Sequence, residues 1–194
     1  MSTGTVLAIA VLVAVVAIAV LVGLLPLQRR RRLQRDFGPE YGRAVKETGS
    51  RKAAERELRD RRHRYEELDI RELPEAARHE YTEQWNRVQE HFVDEPAGAV
   101  QEADELLTRL MHDRGYPTEG YEERLRHLSV AHGRTLDHYR KAHEVRTRDA
   151  DGGTRADTEE LRGAMVHYRA LFEDLLVPAG TDHSGRTAAA RERA

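Results

Sequence analysis

Ten histidines, an acidic loop after Arg148 and four serines are the side chains of this 194-residue sequence best suited to chemistry. A metal site on helices places ligands at i,i+3 or i,i+4, so that both face one ion. No His-x-x-x-His or Glu-x-x-His occurs. His127, His132, His138 and His143 fall five, six and five residues apart, which scatters them around a helix. The pairs His63/Glu67, His79/Glu83 and His91/Glu95 do stand at i,i+4, as chance allows in a chain this charged. No metal site and no cofactor are expected.

The loop comes nearer to a ligand set. Asp149, Asp151, Asp157 and Glu160 occupy positions 1, 3, 9 and 12 of an EF-hand window. Position 5 is Gly153, without a ligand oxygen, and position 6 is Thr154 where the turn needs glycine. The sequence therefore predicts a loop and a helix cap there. Ser2, Ser50, Ser129 and Ser184 lie in no Gly-x-Ser-x-Gly elbow, and no Walker or dinucleotide glycine motif is present. Cysteine is absent, which excludes disulfides and thiolate chemistry. No catalytic residue is assigned, and the chain is read as non-enzymatic.

What positions these residues is set by one apolar run, Val6 to Leu25, twenty residues without a charge. At about 1.5 Å per residue it would span about 30 Å as a helix, the thickness of a bilayer core. Val6, Leu12, Val16, Leu21 and Leu25 mark the anchor, and Arg29, Arg30, Arg31, Arg32 and Arg35 follow it. No Lys or Arg precedes the run, so the positive-inside rule predicts a single-pass protein of the cell membrane. Its N-terminus would face outside and its remaining chain the cytoplasm. Secretory signals have a charged n-region and a shorter apolar core, and neither is seen. Residues 28–67 carry 14 basic and 8 acidic side chains; residues 68–194 carry 18 and 26. The basic part thus adjoins the membrane, where anionic headgroups would meet the arginine cluster.

The expected division is a short external N-terminus (1–5), an anchor (6–27), a basic linker (28–38), a helical bundle (39–177) and a disordered tail (178–194). Nothing reads as a strand, so the fold class is all-α: a membrane helix followed by a bundle of about six helices. Phe37-Gly38-Pro39 breaks any helix leaving the membrane, and helices are predicted over Pro39–Thr48, Arg51–Leu68 and Pro74–Phe92. Others follow from Asp94-Glu95-Pro96 to Gly115, over Thr118–Leu128 and over His132–Arg148. The last begins at a capping box of Asp157 and Glu160 and repeats Leu161, Ala164, Met165, Tyr168, Leu171, Phe172, Leu175 and Leu176 at helical spacing. Trp85, Tyr81, Tyr139, Tyr168 and Phe172 fit a core better than a groove. In the helix 51–64 acids interleave with the basic residues, which argues against nucleic acid as a partner.

The stretch HFVDEPAGAVQEADELLTRLMHDRGYP (His91–Pro117) and the ending AMVHYRALFEDLL (Ala164–Leu176) resemble segments of small actinobacterial proteins described as membrane-anchored or secreted. That group has no assigned activity, so the resemblance implies no site residues. The expected function is a membrane-tethered interaction or scaffold module with an unidentified protein partner, a second copy being the minority alternative. The competing expectation is a small-molecule or ion-sensing domain. It would require several of Tyr139, His143, His167 and Tyr168 to converge on a concave pocket.

Overall fold

The computed structural model describes residues 12, 28, 30–150 and 156–177. Most of the apolar run, Asp151 to Arg155 and the tail from Pro178 lie outside them, and so do the anchor residues Val6, Val16, Leu21 and Leu25 and the headgroup candidate Arg29. Among the described residues every element is a helix: α1 (30–37), α2 (Pro39–Thr48), α3 (Arg51–Glu66), α4 (Glu75–His91), α5 (Pro96–Asp113), α6 (Tyr121–Ala131), α7 (Leu136–Ala150) and α8 (Thr158–Leu176). The all-α class therefore holds. Among the described residues no helix is long and apolar enough to cross a membrane.

The chain divides after Arg62 into two compact units, where the sequence reading draws one bundle from 39 to 177. In the first unit the basic linker is itself helical. Leu33 and Phe37 recur four residues apart and are both buried, so α1 has an apolar face to fold on. Gly38, at φ +50°, makes the break before Pro39. A left-handed Gly49 ends α2 as expected of a C-cap glycine. The thin seam Ala54 and Leu58 of α3 is fully buried, as are Tyr41 and Ala44 of α2. Asp36 accepts from Arg62, and the Tyr41 hydroxyl donates to Glu55 at 2.9 Å.

In the second unit α5 is the central helix, in contact with α4, α7 and α8. Its sequence explains why: Ala99, Val100, Ala103, Leu106, Leu107, Leu110 and Met111 recur at three- and four-residue steps and are all buried. Small residues at 99 and 103 allow close approach, and the leucines fill the space beyond. Tyr81, Trp85 and Val88 cover α5 from α4, while Leu161, Ala164, Tyr168, Leu171, Phe172 and Leu175 cover it from α8. Trp85 stacks on Phe172 with ring centroids 4.7 Å apart, joining the two flanking helices.

α6 starts at Tyr121 rather than Thr118, and α7 at Leu136 rather than His132. Residues 132–135 form a turn instead, because the His132 carbonyl accepts from both Thr135 and Leu136 and the imidazole is occupied elsewhere. The predicted capping box is present: Asp157 Oδ1 accepts from the Glu160 N–H at 2.8 Å, and Glu160 Oε2 from the Asp157 N–H at 3.0 Å. Replacing Asp157 by Ala should cost about 1 kcal/mol, the usual worth of such a cap, read as a lower urea midpoint with an unchanged slope.

Candidate functional site

Three polar or apolar assemblies stand out in the second unit, and they differ in what they can do. The first surrounds Asp104, a carboxylate on the buried face of α5 that sequence periodicity disguises as a surface position. The Tyr168 hydroxyl donates to its Oδ1 at 3.0 Å, Arg146 Nε lies 3.4 Å from its Oδ2, and His143 Nδ1 is 4.0 Å away. Burial by itself would raise the Asp104 pKa. The nearby His143 imidazole, the charge of Arg146, the Tyr168 hydroxyl and Arg124 outweigh it and hold the carboxyl below its usual range. Tyr121 stacks almost parallel on His143 at 3.7 Å, and Tyr139 packs edge-on against Tyr168 at 6.1 Å.

Three of the four residues named for a sensing pocket, Tyr139, His143 and Tyr168, thus gather around a carboxylate rather than a cavity. His167 goes elsewhere, to His138. Tyr139 and Tyr168 are wholly buried, and burial first, then the nearby Asp104, pushes both phenols well above their ordinary pKa. Such phenols stay protonated at neutral pH; Tyr168 donates to Asp104, and the buried Tyr139 hydroxyl has no hydrogen-bond partner among the described residues. The assembly locks α5, α7 and α8 together.

The second assembly is a hydrogen-bonded chain. His132 Nδ1 lies 2.8 Å from Asp174 Oδ2, which also accepts from the Thr135 hydroxyl at 2.7 Å. His132 Nε2 is 3.0 Å from the Tyr116 hydroxyl, and Tyr65 follows at 3.4 Å. The order carboxylate, imidazole, hydroxyl is that of a hydrolytic triad. Tyr116 is 3% exposed, however, and burial raises its pKa above the ordinary phenol value. A nucleophile must be reachable by its substrate, and this buried phenol is not. What the chain does is pin the loops on both sides of α6 to the end of α8. Arg114 helps, donating to the Leu175 carbonyl at 2.6 Å and so satisfying the C-terminal turn of α8 from a buried position. No short-range pattern announces either contact, since the partners lie 42 and 61 residues apart.

The third assembly is a groove between α4 and α8 with a volume of about 250 Å³. Trp85, Phe92, Met165 and Val166 make it apolar, and Gln89, Arg162 and Arg169 line its edges. The Trp85 indole N–H donates to Gln89, so the ring's polar atom is satisfied, and the buried ring, stacked on Phe172, forms the floor of the groove. Val166 is 62% exposed, on a helix whose other apolar residues are covered. Arg162 pairs with Glu159 and Arg169 with Glu173, both at the surface, where such pairs rearrange at little cost.

The remaining sequence candidates are placed as follows. Leu12 is helical and exposed. Of the arginine cluster, Arg31, Arg32 and Arg35 are exposed, Arg32 lying 3.9 Å from Asp36. Arg30 is half-buried and close enough to Tyr41 to counter part of the upward pKa shift that burial and Glu55 impose on that phenol. The cluster is therefore split between a solvent face and an internal contact. Of the EF-hand candidates, the Asp149 side chain, Asp151, Gly153 and Thr154 lie outside the described residues. Asp157 and Glu160 are held by the helix cap, and Glu160 Oε1 additionally accepts from Arg148 at 2.6 Å. Ser50 precedes α3 as its cap, and Ser129 is buried with its hydroxyl on the Arg126 carbonyl.

The three i,i+4 His/Glu pairs form at 3.4 to 3.6 Å. Among the described residues no three His, Asp or Glu side chains converge as a metal site. No family model, no curated protein and no solved structure matches the chain.

Proposed function

We propose that this protein is a membrane-tethered helical interaction module whose docking surface is the α4–α8 groove. The observation that carries the reading is the groove itself: Val166 stands exposed beside the half-buried Phe92, over the buried Trp85 and Met165, on an otherwise well-covered bundle. Its form suits an amphipathic helix laid along α4 and α8 with apolar anchors against Trp85 and Val166. Arg162 and Arg169 at the edges favour acidic residues flanking those anchors, so the occupant is an acidic amphipathic helix of another protein.

The uncharged run Val6–Leu25 supports tethering, and the arginines after it support a cytoplasmic bundle with anionic headgroups nearby. Tethering would raise the local concentration of the groove near membrane-associated partners without requiring catalysis.

Reporter fusions after Leu176, one active only in the cytoplasm and one only outside, test the topology; an external signal would move the partners to the cell envelope. Co-purification of the full-length chain from membranes tests the groove. Val166→Glu should reduce capture of the specific partner at least tenfold. Because Val166 is exposed, the same change should leave the thermal midpoint nearly unmoved. Equal capture by both forms would remove the groove from the account.

A further inference from the structure

The pairing of His138 with His167 is not used by the groove or by the Asp104 assembly. His138 lies in the first turns of α7 and His167 midway along α8, two helices packed along each other. The two Nδ1 atoms are 2.9 Å apart, the ring centroids are 5.0 Å apart and the rings are inclined at 44°. Both side chains are half-buried, so one side of the pair stays open to solvent. From these positions the geometry points to a two-histidine chelate for a divalent transition metal, bridging α7 and α8.

The distances carry the argument. Two imidazole nitrogens bound cis to one ion at about 2.05 Å each lie about 2.9 Å apart at a right angle and about 3.3 Å apart at the tetrahedral angle. Ring centroids then stand about 4.5 to 5.2 Å apart, so the observed rings need only small side-chain rotations to take up an ion. The nitrogen separation matches the right-angle limit and the centroid separation lies nearer the tetrahedral one, so Cu²⁺, Ni²⁺ and Zn²⁺ all fit the pair, with water completing the coordination sphere. At present the pair is held by one shared proton, since a hydrogen bond between two nitrogens needs one N–H and one lone pair. A metal ion would take the place of that proton.

Asp137 binds Lys141 at 2.9 Å, and its carboxylate would offset part of an incoming cation's charge. The cross-helix arrangement also explains why no sequence motif marks the site: its ligands are 29 residues apart.

The test is calorimetric titration of Ni²⁺ into the full-length chain in detergent micelles, with H79Q as a control at an exposed histidine. One site that is insensitive to H79Q is expected, and H138Q and H167Q should each weaken it at least tenfold. The double variant should bind no more weakly than the worse single variant, because both remove the same ion. Affinities within twofold of wild type in H138Q and H167Q would overturn the proposal. A second readout needs no variant. The Cu²⁺-loaded chain should show electron paramagnetic resonance couplings from two equivalent imidazole nitrogens, and a signal from one or none would also overturn it.

Discussion

Replacing Asp104 by Ala should lower the unfolding free energy by about 3–5 kcal/mol, the range for removing one partner of a buried ion pair. Asp104 is 7% exposed and receives the Tyr168 hydroxyl, with Arg146 and His143 beside it. Truncation removes the acceptor for a wholly buried phenol and leaves the half-buried Arg146 facing no counter-charge from α5. The loss should appear as a large fall in urea midpoint without a change in slope. Tyr168→Phe should cost much less, about 1 kcal/mol, because it removes donor and demand together. A cycle combining the two would show strong coupling, since both act through one hydrogen bond.

The same carboxylate sets a pH dependence. Its folded pKa lies below the ordinary carboxylate value, so its contribution is complete above the unfolded pKa of about 3.9 and disappears as pH falls through the folded pKa. Asp104→Asn keeps an acceptor for Tyr168 but abolishes this term. The stability gap between wild type and Asp104→Asn should therefore be widest near neutrality and shrink below about pH 4. A gap constant from pH 7 to pH 3 would show that the carboxylate's charge does not matter.

The second large effect is expected at Gly115, where Ala should destabilise the second unit by several kcal/mol. Gly115 sits at φ +87°, a conformation that costs an L-residue about 1–2 kcal/mol. A Cβ there would also lie 2.2 Å from the Asp69 carbonyl oxygen, a backbone atom that cannot turn aside. Two hydrogen bonds depend on this conformation: Gly115 N–H to the His112 carbonyl at 2.8 Å and Tyr116 N–H to the Met111 carbonyl at 3.0 Å. They form a Schellman C-cap on α5. Moving the glycine would displace Tyr116 and with it the link to His132. Gly163→Ala is the matched control: it is helical, its Cβ would meet nothing within 4 Å, and it should be neutral or slightly stabilising. Similar midpoints for Gly115→Ala and wild type would mean that the Asp69 approach relaxes without cost.

These two sites also show what a sequence can disclose. The cap at Gly115 was legible because it follows a strongly periodic helix and precedes Pro117, a purely local signal. The approach of Asp69 was not, since it depends on where the connector after α3 is laid. Arg71 N–H bonds the Arg114 carbonyl at 3.0 Å there, 43 residues away in sequence. The α5 and α8 cores follow the apolar period almost residue for residue, and the Asp157–Glu160 box is local too. Asp104 was hidden because it stands with Glu105 between Ala103 and Leu106, and such an acidic pair reads as a solvent position. Only Tyr168, Arg146 and His143, brought in by two other helices, make its burial tolerable.

The histidines teach the same lesson. Their spacing along one helix excluded an i,i+4 ligand pair, yet His127, His132, His138 and His143 each find a different partner: Glu123, Asp174, His167 and the Tyr121 ring. For the groove, periodicity placed Trp85 and Phe172 correctly in the core. It did not reveal that Val166, one position off the buried stripe of α8, extends that apolar surface to solvent.

The measurement that bears most directly on the tethered-module account is photo-crosslinking in intact cells from a photoreactive residue at position 166. The comparison is the same residue at Val93, which is exposed but outside the groove. The account predicts a discrete adduct with a different protein from position 166 and none from position 93. Adducts equal at the two positions, or only with a second copy of this chain, would contradict it.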